Sequence, residues 1–192
     1  MFKVGVTGGI GSGKSTICKV FQKLGAPVYY ADQEAKELMV SNSNIVREIK
    51  NVFGEESYVD EKYNSAYISS VVFKDESKLE TLNKIVHPEV ARHFSDWINK
   101  QNFPYIIKEA AILFETGSYK SMDYNILVVT EEEERIRRVM DGDDISKEEV
   151  VSRISKQWND KQKSKFADYI LKNDQEPILN EILNLHKDFL IK

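Results

Sequence analysis

Near the start of the chain, Gly8-Gly9-Ile10-Gly11-Ser12-Gly13-Lys14-Ser15 fits the pattern G-x-x-x-x-G-K-[ST] at every position. Glycines allow positive φ and close backbone approach, so successive N–H groups can turn inward around a polyphosphate. A helix starting at Lys14 would add its N-terminal dipole and unpaired N–H groups to the same anion. Lys14 is then placed to reach the β- and γ-phosphates, and Ser15 to set a hydroxyl on Mg2+. With glycine near 7% of average sequence, a chance match in a chain of this length is on the order of 1%. The motif therefore points to nucleotide binding, while the reaction stays open.

Two carboxylates stand where they could act on such a ligand. Asp32 follows the short apolar run Val28-Tyr29-Tyr30. Glu109 follows Tyr105-Ile106-Ile107-Lys108. In a parallel sheet the carboxyl ends of strands share one edge, the edge that also carries the glycine loop. Asp32 would face the γ-phosphate and accept a proton from an attacking hydroxyl or help order Mg2+; the alternative is an N-cap for a helix starting near Gln33. Glu109 is a candidate to hold Mg2+ through water, or a salt-bridged carboxylate on the rim.

The elements that position these groups follow from pattern. Phe2–Thr7 is short, apolar and β-branched and reads as a buried strand. Ile17, Val20, Phe21 and Leu24 fall at helical offsets, with Gly25 just past the end. Strand, loop, helix and the strand at residues 28–30 make a βαβ unit with a parallel sheet. Residues 32–103 read as mainly helical, with Val71, Val72, Phe73, Leu79, Leu82, Ile85 and Val86 on apolar faces. Strands return at 105–107, 124–129 and 169–171, and a closing helix starts near Gln175. In the charged stretch between residues 131 and 165, Glu131/Arg135, Glu133/Arg137 and Glu134/Arg138 are spaced for i,i+4 pairs on an exposed helix.

Composition narrows the classes. The chain has 192 residues, 41% hydrophobic and 30% charged, with a net charge of −4. That excludes a disordered or membrane-spanning chain, and argues against broad electrostatic binding to nucleic acid or anionic lipid. A single cysteine, Cys18, cannot form an intrachain disulfide. The residues before the glycine loop do not read as a targeting segment, and none is expected. The expected location is cytoplasmic. Asn99-Lys100-Gln101-Asn102 lacks the aspartate of a guanine-reading motif, and no ABC-type signature is present.

Four further segments, taken with the loop, carry a resemblance. They are Val28-Tyr29-Tyr30-Ala31-Asp32, Asn83-Lys84-Ile85-Val86-His87-Pro88, Ala110-Ala111-Ile112-Leu113-Phe114-Glu115, and Ala167-Asp168-Tyr169-Ile170 with Asn173. In this order the chain resembles the dephospho-CoA kinases from Phe2 to about Asp174. The resemblance implies transfer of the ATP γ-phosphate to the 3′-hydroxyl of dephospho-CoA with Mg2+, the last step of coenzyme A biosynthesis. It implies an α/β fold: a P-loop three-layer α/β/α core with a parallel sheet, an inserted helical substrate domain and a helical lid. The core would comprise residues 1–32, 104–135 and 166–192, the substrate domain 33–103 and the lid 136–165. Asp32 matches the family's general base. Gly9, Ile10, Gly11, Ser12, Gly13, Lys14, Ser15 and Thr16 match its ATP-binding loop, and Arg138 a lid arginine that approaches the phosphates. His87 is a candidate substrate contact or a residue at a helix entry, with Pro88 at the first helical position. ATP and dephospho-CoA are the expected partners, without nucleic acid or membrane. The chain departs from the family at Tyr30, Glu109 and Ala111, where aspartate, aspartate and proline are usual, and at Gly142, where a second lid arginine is usual. The competing readings are another P-loop nucleoside or nucleotide kinase and a regulatory nucleotide-binding module.

Overall fold

A computed structural model describes residues 1–143, 145–174 and 178–192, with only the backbone at 143. The chain divides into two units, Met1–Tyr30 with Gln101–Lys192, and Ala31–Lys100.

In the first unit, β1 (Phe2–Gly8) leads through the glycine loop into α1 (Lys14–Lys23), and β2 (Val28–Tyr30) follows. The chain leaves this unit at Tyr30. In the second unit, α2 (Ala31–Ser41) and α3 (Ser43–Phe53) precede a short hairpin of β3 (Tyr58–Val59) and β4 (Lys62–Tyr63). Then come α4 (Ser65–Lys74) and the long α5 (Glu76–Ile98). Back in the first unit, β5 (Tyr105–Glu109), β6 (Tyr124–Val129), α6 (Glu132–Asp143), α7 (Lys147–Ile154), α8 (Asp160–Lys163), β7 (Tyr169–Lys172) and α9 (Leu179–Ile191) complete the fold. The expected start of the closing helix at Gln175 lies outside the described residues.

The five strands of the first unit are all parallel, in the order β2-β5-β1-β6-β7. The strand returning after the insertion therefore lies between β1 and β2. The three central strands, β5, β1 and β6, are covered on both faces, which is why they read as near-continuous apolar runs. On one face Val4, Val6, Ile107, Ile126 and Val128 pack with Ile17, Cys18 and Phe21 of α1 and Ile182, Leu185 and Phe189 of α9. On the other, a side chain at Gly5 would meet Leu113 and Met122. There Phe114, Tyr119, Phe166 and Trp158 form a ring cluster with centroids 5.1–5.9 Å apart.

The second unit is mainly helical, with one exception to the expected pattern. The hairpin turns on Asp60 and Glu61 at φ 48° and 62°, so two non-glycine residues take left-handed backbone. Tyr58 and Tyr63 pair across it with centroids 5.7 Å apart. Within α5, Val86, Val90 and Phe94 are buried, whereas Phe73 on α4 is 72% exposed and Leu79 38%, so these last two are not core positions. Among the described residues no helix is long and apolar enough to cross a membrane.

Candidate active site

The glycine loop opens directly onto α1. The residue preceding that helix is Gly13, at φ 86°, and no side chain caps it. An N-terminus left uncapped in this way presents its first N–H groups to an anion. A Cβ at Gly13 would also collide with Asn173 Nδ2. That amide donates to Ser12 O at 2.8 Å, and Thr130 Oγ1 donates to the same oxygen at 3.1 Å. Residues just past the ends of β6 and β7 thus fix the loop's shoulder. Lys14 is 9% exposed, and its Nζ donates to Gly9 O at 3.3 Å, so the ammonium lies folded across its own loop. Ser15 and Thr16 are exposed on the first turn of α1.

Helix α6 lies against this loop. A Cβ at Gly9 would collide with Arg135 Nη1, and one at Gly11 would come within 2.5 Å of Arg135 O. Arg135 is 8% exposed and pairs with Glu132 at 3.6 Å, rather than with Glu131 on a solvated face. Arg137 pairs with Glu134 at 2.7 Å and Asp141 at 3.4 Å; only the Glu134–Arg138 pair, at 2.8 Å, has the i,i+4 partner that spacing suggested. The two guanidinium groups hold the Glu134 carboxyl down at about 2. Arg138 Nη2 donates to Asn173 O at 3.0 Å, and its Nη1 lies 3.7 Å from where a Gly13 Cβ would be. Arg138 therefore stands beside the phosphate loop. Gly142 is in the last turn of α6 with open space around it.

The carboxyl edge of the sheet is set by register: Tyr30 lies opposite Glu109, and Glu109 opposite Val6, two residues before Gly8. Glu109 is 6% exposed and close enough to the Cys18 thiol to act on it, as is Lys14. Burial pushes that thiol well above its ordinary value, with Glu109 adding to the rise and Lys14 opposing it. Burial likewise raises Tyr30. Asp32 is exposed in the first turn of α2, which starts at Ala31; it is not a cap ahead of Gln33. A carboxylate there also suits the positive end of the helix dipole. His87 and Pro88 are in the interior of α5, not at its entry. Pro88 has no N–H for the Lys84 carbonyl, and the buried face of Val86, Val90 and Phe94 carries the helix past that gap.

Sequence reasoning assigned no role to a second layer under the loop. Ala111 O accepts from Thr7 Oγ1 at 3.3 Å, Gln157 Nε2 at 3.4 Å and Lys163 Nζ at 3.3 Å. Lys163 is fully buried and pairs with Glu115 at 3.2 Å, and Glu115 Oε1 also accepts from Trp158 N at 3.0 Å. Leu113-Phe114-Glu115 stood out in the sequence, but nothing local indicated that Glu115 is held by a lysine 48 residues on.

A parallel sheet whose first strand runs through a glycine loop into an uncapped helix, with two arginines of a later helix laid against that loop, defines a P-loop nucleotide-binding protein. The fold is shared with a shikimate kinase from Acinetobacter baumannii, at a TM-score of 0.57 and 12% identity over 100% of this chain and 94% of that one. The chain belongs to the dephospho-CoA kinase family, whose model matches residues 2–178. A dephospho-CoA kinase of Bacteroides fragilis is 34% identical over 185 residues, covering 95% of this chain and 90% of that protein. A crystal structure from Thermus thermophilus superposes with a TM-score of 0.86 at 32% identity, covering 99% of this chain and 96% of that one.

Proposed function

We propose that this chain moves the γ-phosphate of ATP to the 3′-hydroxyl of dephospho-CoA, giving coenzyme A and ADP. Family membership over residues 2–178, joined to an uncapped helix behind a complete glycine loop, carries this reading. The transfer is direct and in line, with no phosphoenzyme. Asp32 orients the acceptor hydroxyl and takes its proton. The N–H groups of residues 11–16 hold the phosphates, and Lys14 swings from Gly9 O onto the β- and γ-oxygens. Arg138, beside Gly13, neutralises charge spreading onto the equatorial oxygens.

Mg2+ suits the oxygen donors present, the exposed Ser15 hydroxyl on α1 and, through water, the Glu109 carboxylate at the strand edge. When bound, the ion would offset the charge on the phosphate oxygens. Residues 33–103 would form the substrate domain, with His87 a contact to dephospho-CoA. Residues 136–165 would form a lid that excludes water, because an open site hydrolyses ATP. Incubation with ATP, Mg2+ and dephospho-CoA should yield coenzyme A by mass; ADP formed without that product would overturn the assignment of the acceptor.

A further inference from the structure

The glycine loop is held from a side that its motif does not predict. Ile10 N–H donates to Gln157 Oε1 at 2.9 Å, across 147 residues of sequence. The other end of that carboxamide, Nε2, donates to Ala111 O just beyond β5. Ile10 is gripped by its side chain as well, packed with Ile136 and Val139 of α6 and Val150 of α7. The segment carrying Gln157 is itself anchored, since the buried Lys163 ties it to Glu115 and Ala111, and Trp158 N–H ties it to Glu115.

We propose that Gln157 is a positioning residue for phosphoryl transfer. It acts through Ile10, setting the loop against the carboxyl end of β5 before nucleotide arrives. It touches no phosphate, because its Oε1 is occupied by a loop N–H and its Nε2 by a carbonyl. It follows that Ile10 N–H belongs to the scaffold and not to the phosphate cradle. It also follows that residues 157–163 form the fixed leg on which the proposed lid stands, so any closing motion of α6 and α7 must pivot before Gln157. This inference rests on the kinase reading for its catalytic consequence, though not for its structural one.

Misplacing a reacting group by about 1 Å costs up to about a hundredfold in rate, whereas ground-state binding through many loop N–H groups tolerates the same shift. Gln157→Met keeps the side-chain length and removes both hydrogen bonds. Its kcat should fall at least about tenfold while KM for ATP changes less than about threefold. A kcat within twofold of wild type, or a loss confined to KM, would overturn the proposal. A second measurement needs no variant and no acceptor: amide exchange at Ile10 in wild-type protein, with and without ADP. Protection already present without ADP, and lost in Gln157→Met if that variant folds, supports the assignment. Protection that appears only with ADP would give Ile10 N–H to the phosphates and refute it. A wild-type enzyme that failed to phosphorylate dephospho-CoA would remove the assigned reaction, and the exchange result would still decide the role of Gln157.

Discussion

Lys163→Met tests how much the buried ion pair beneath the loop contributes. Lys163 is 0% exposed and Glu115 14%, with Nζ and Oε1 3.2 Å apart. Without the ammonium, Glu115 Oε1 keeps, among the described residues, only the Trp158 N–H as donor, and Oε2 is already buried with no hydrogen-bond partner among them. Removing one partner of a buried pair costs about 3–5 kcal/mol. The retained N–H and the partial exposure of Glu115 put this case at the lower end, about 3 kcal/mol. For a chain of this length that lowers the melting temperature by about 6–12 °C. Replacing both partners, as Lys163→Met with Glu115→Leu, leaves no stranded charge and should restore most of the loss. Thermal melts and urea titrations of nucleotide-free protein, wild type and both variants, measure this directly. A single-variant cost below about 1 kcal/mol, or a double variant no more stable than Lys163→Met, would refute the reasoning.

Four other outcomes can be checked. Asp32→Asn should lower kcat by about a hundredfold or more with ATP affinity nearly unchanged; activity within a few-fold of wild type would remove Asp32 as the base. Lys14→Ala should slow both transfer and any ATPase side reaction, and an unaffected rate would contradict the loop's role. Arg138→Ala should lower kcat more than it raises KM for ATP, in steady-state kinetics; the reverse would make it a binding residue only. Burial lowers the pKa of His186, whose Nδ1 lies 2.6 Å from the Tyr105 hydroxyl. The folded state thus binds its proton less readily than the unfolded chain, so this stabilisation is complete above the ordinary value near 6.5 and is lost as pH falls from there through the lowered folded value. The urea midpoint of wild type should therefore drop more steeply between pH 7.5 and 5.5 than that of His186→Leu, and parallel curves would contradict the shift.

What was legible in the sequence was local. Gly8 to Ser15 states its own conformation, because glycine spacing and a strand-to-helix transition are short-range facts. The runs at 105–107 and 124–129 read as strands because burial on both faces makes them mostly apolar, and the run at 169–171, with Ile170 45% exposed, reads as one from its residue types alone. The hairpin at residues 58–63 escaped because its turn uses Asp60 and Glu61 at positive φ, where Asn-Gly would have been the signal. Pro88 suggested a helix start, and the packing of α5 overrode it. Arg135 looked like a surface charge because i,i+4 spacing cannot tell which face of α6 lies on a glycine loop. Gln157 gave no signal at all, since its partner Ile10 is fixed by tertiary contact alone.

Cys18 lies one helical turn past the loop, completely enclosed between α1 and the sheet, its proton held on by burial and by the neighbouring Glu109. An enclosed, protonated thiol does not meet alkylating or oxidising agents while the native packing lasts. The chain therefore carries an internal clock: with no other sulfhydryl to compete, the pace at which maleimide consumes this one records how often the floor of the nucleotide cleft breathes open.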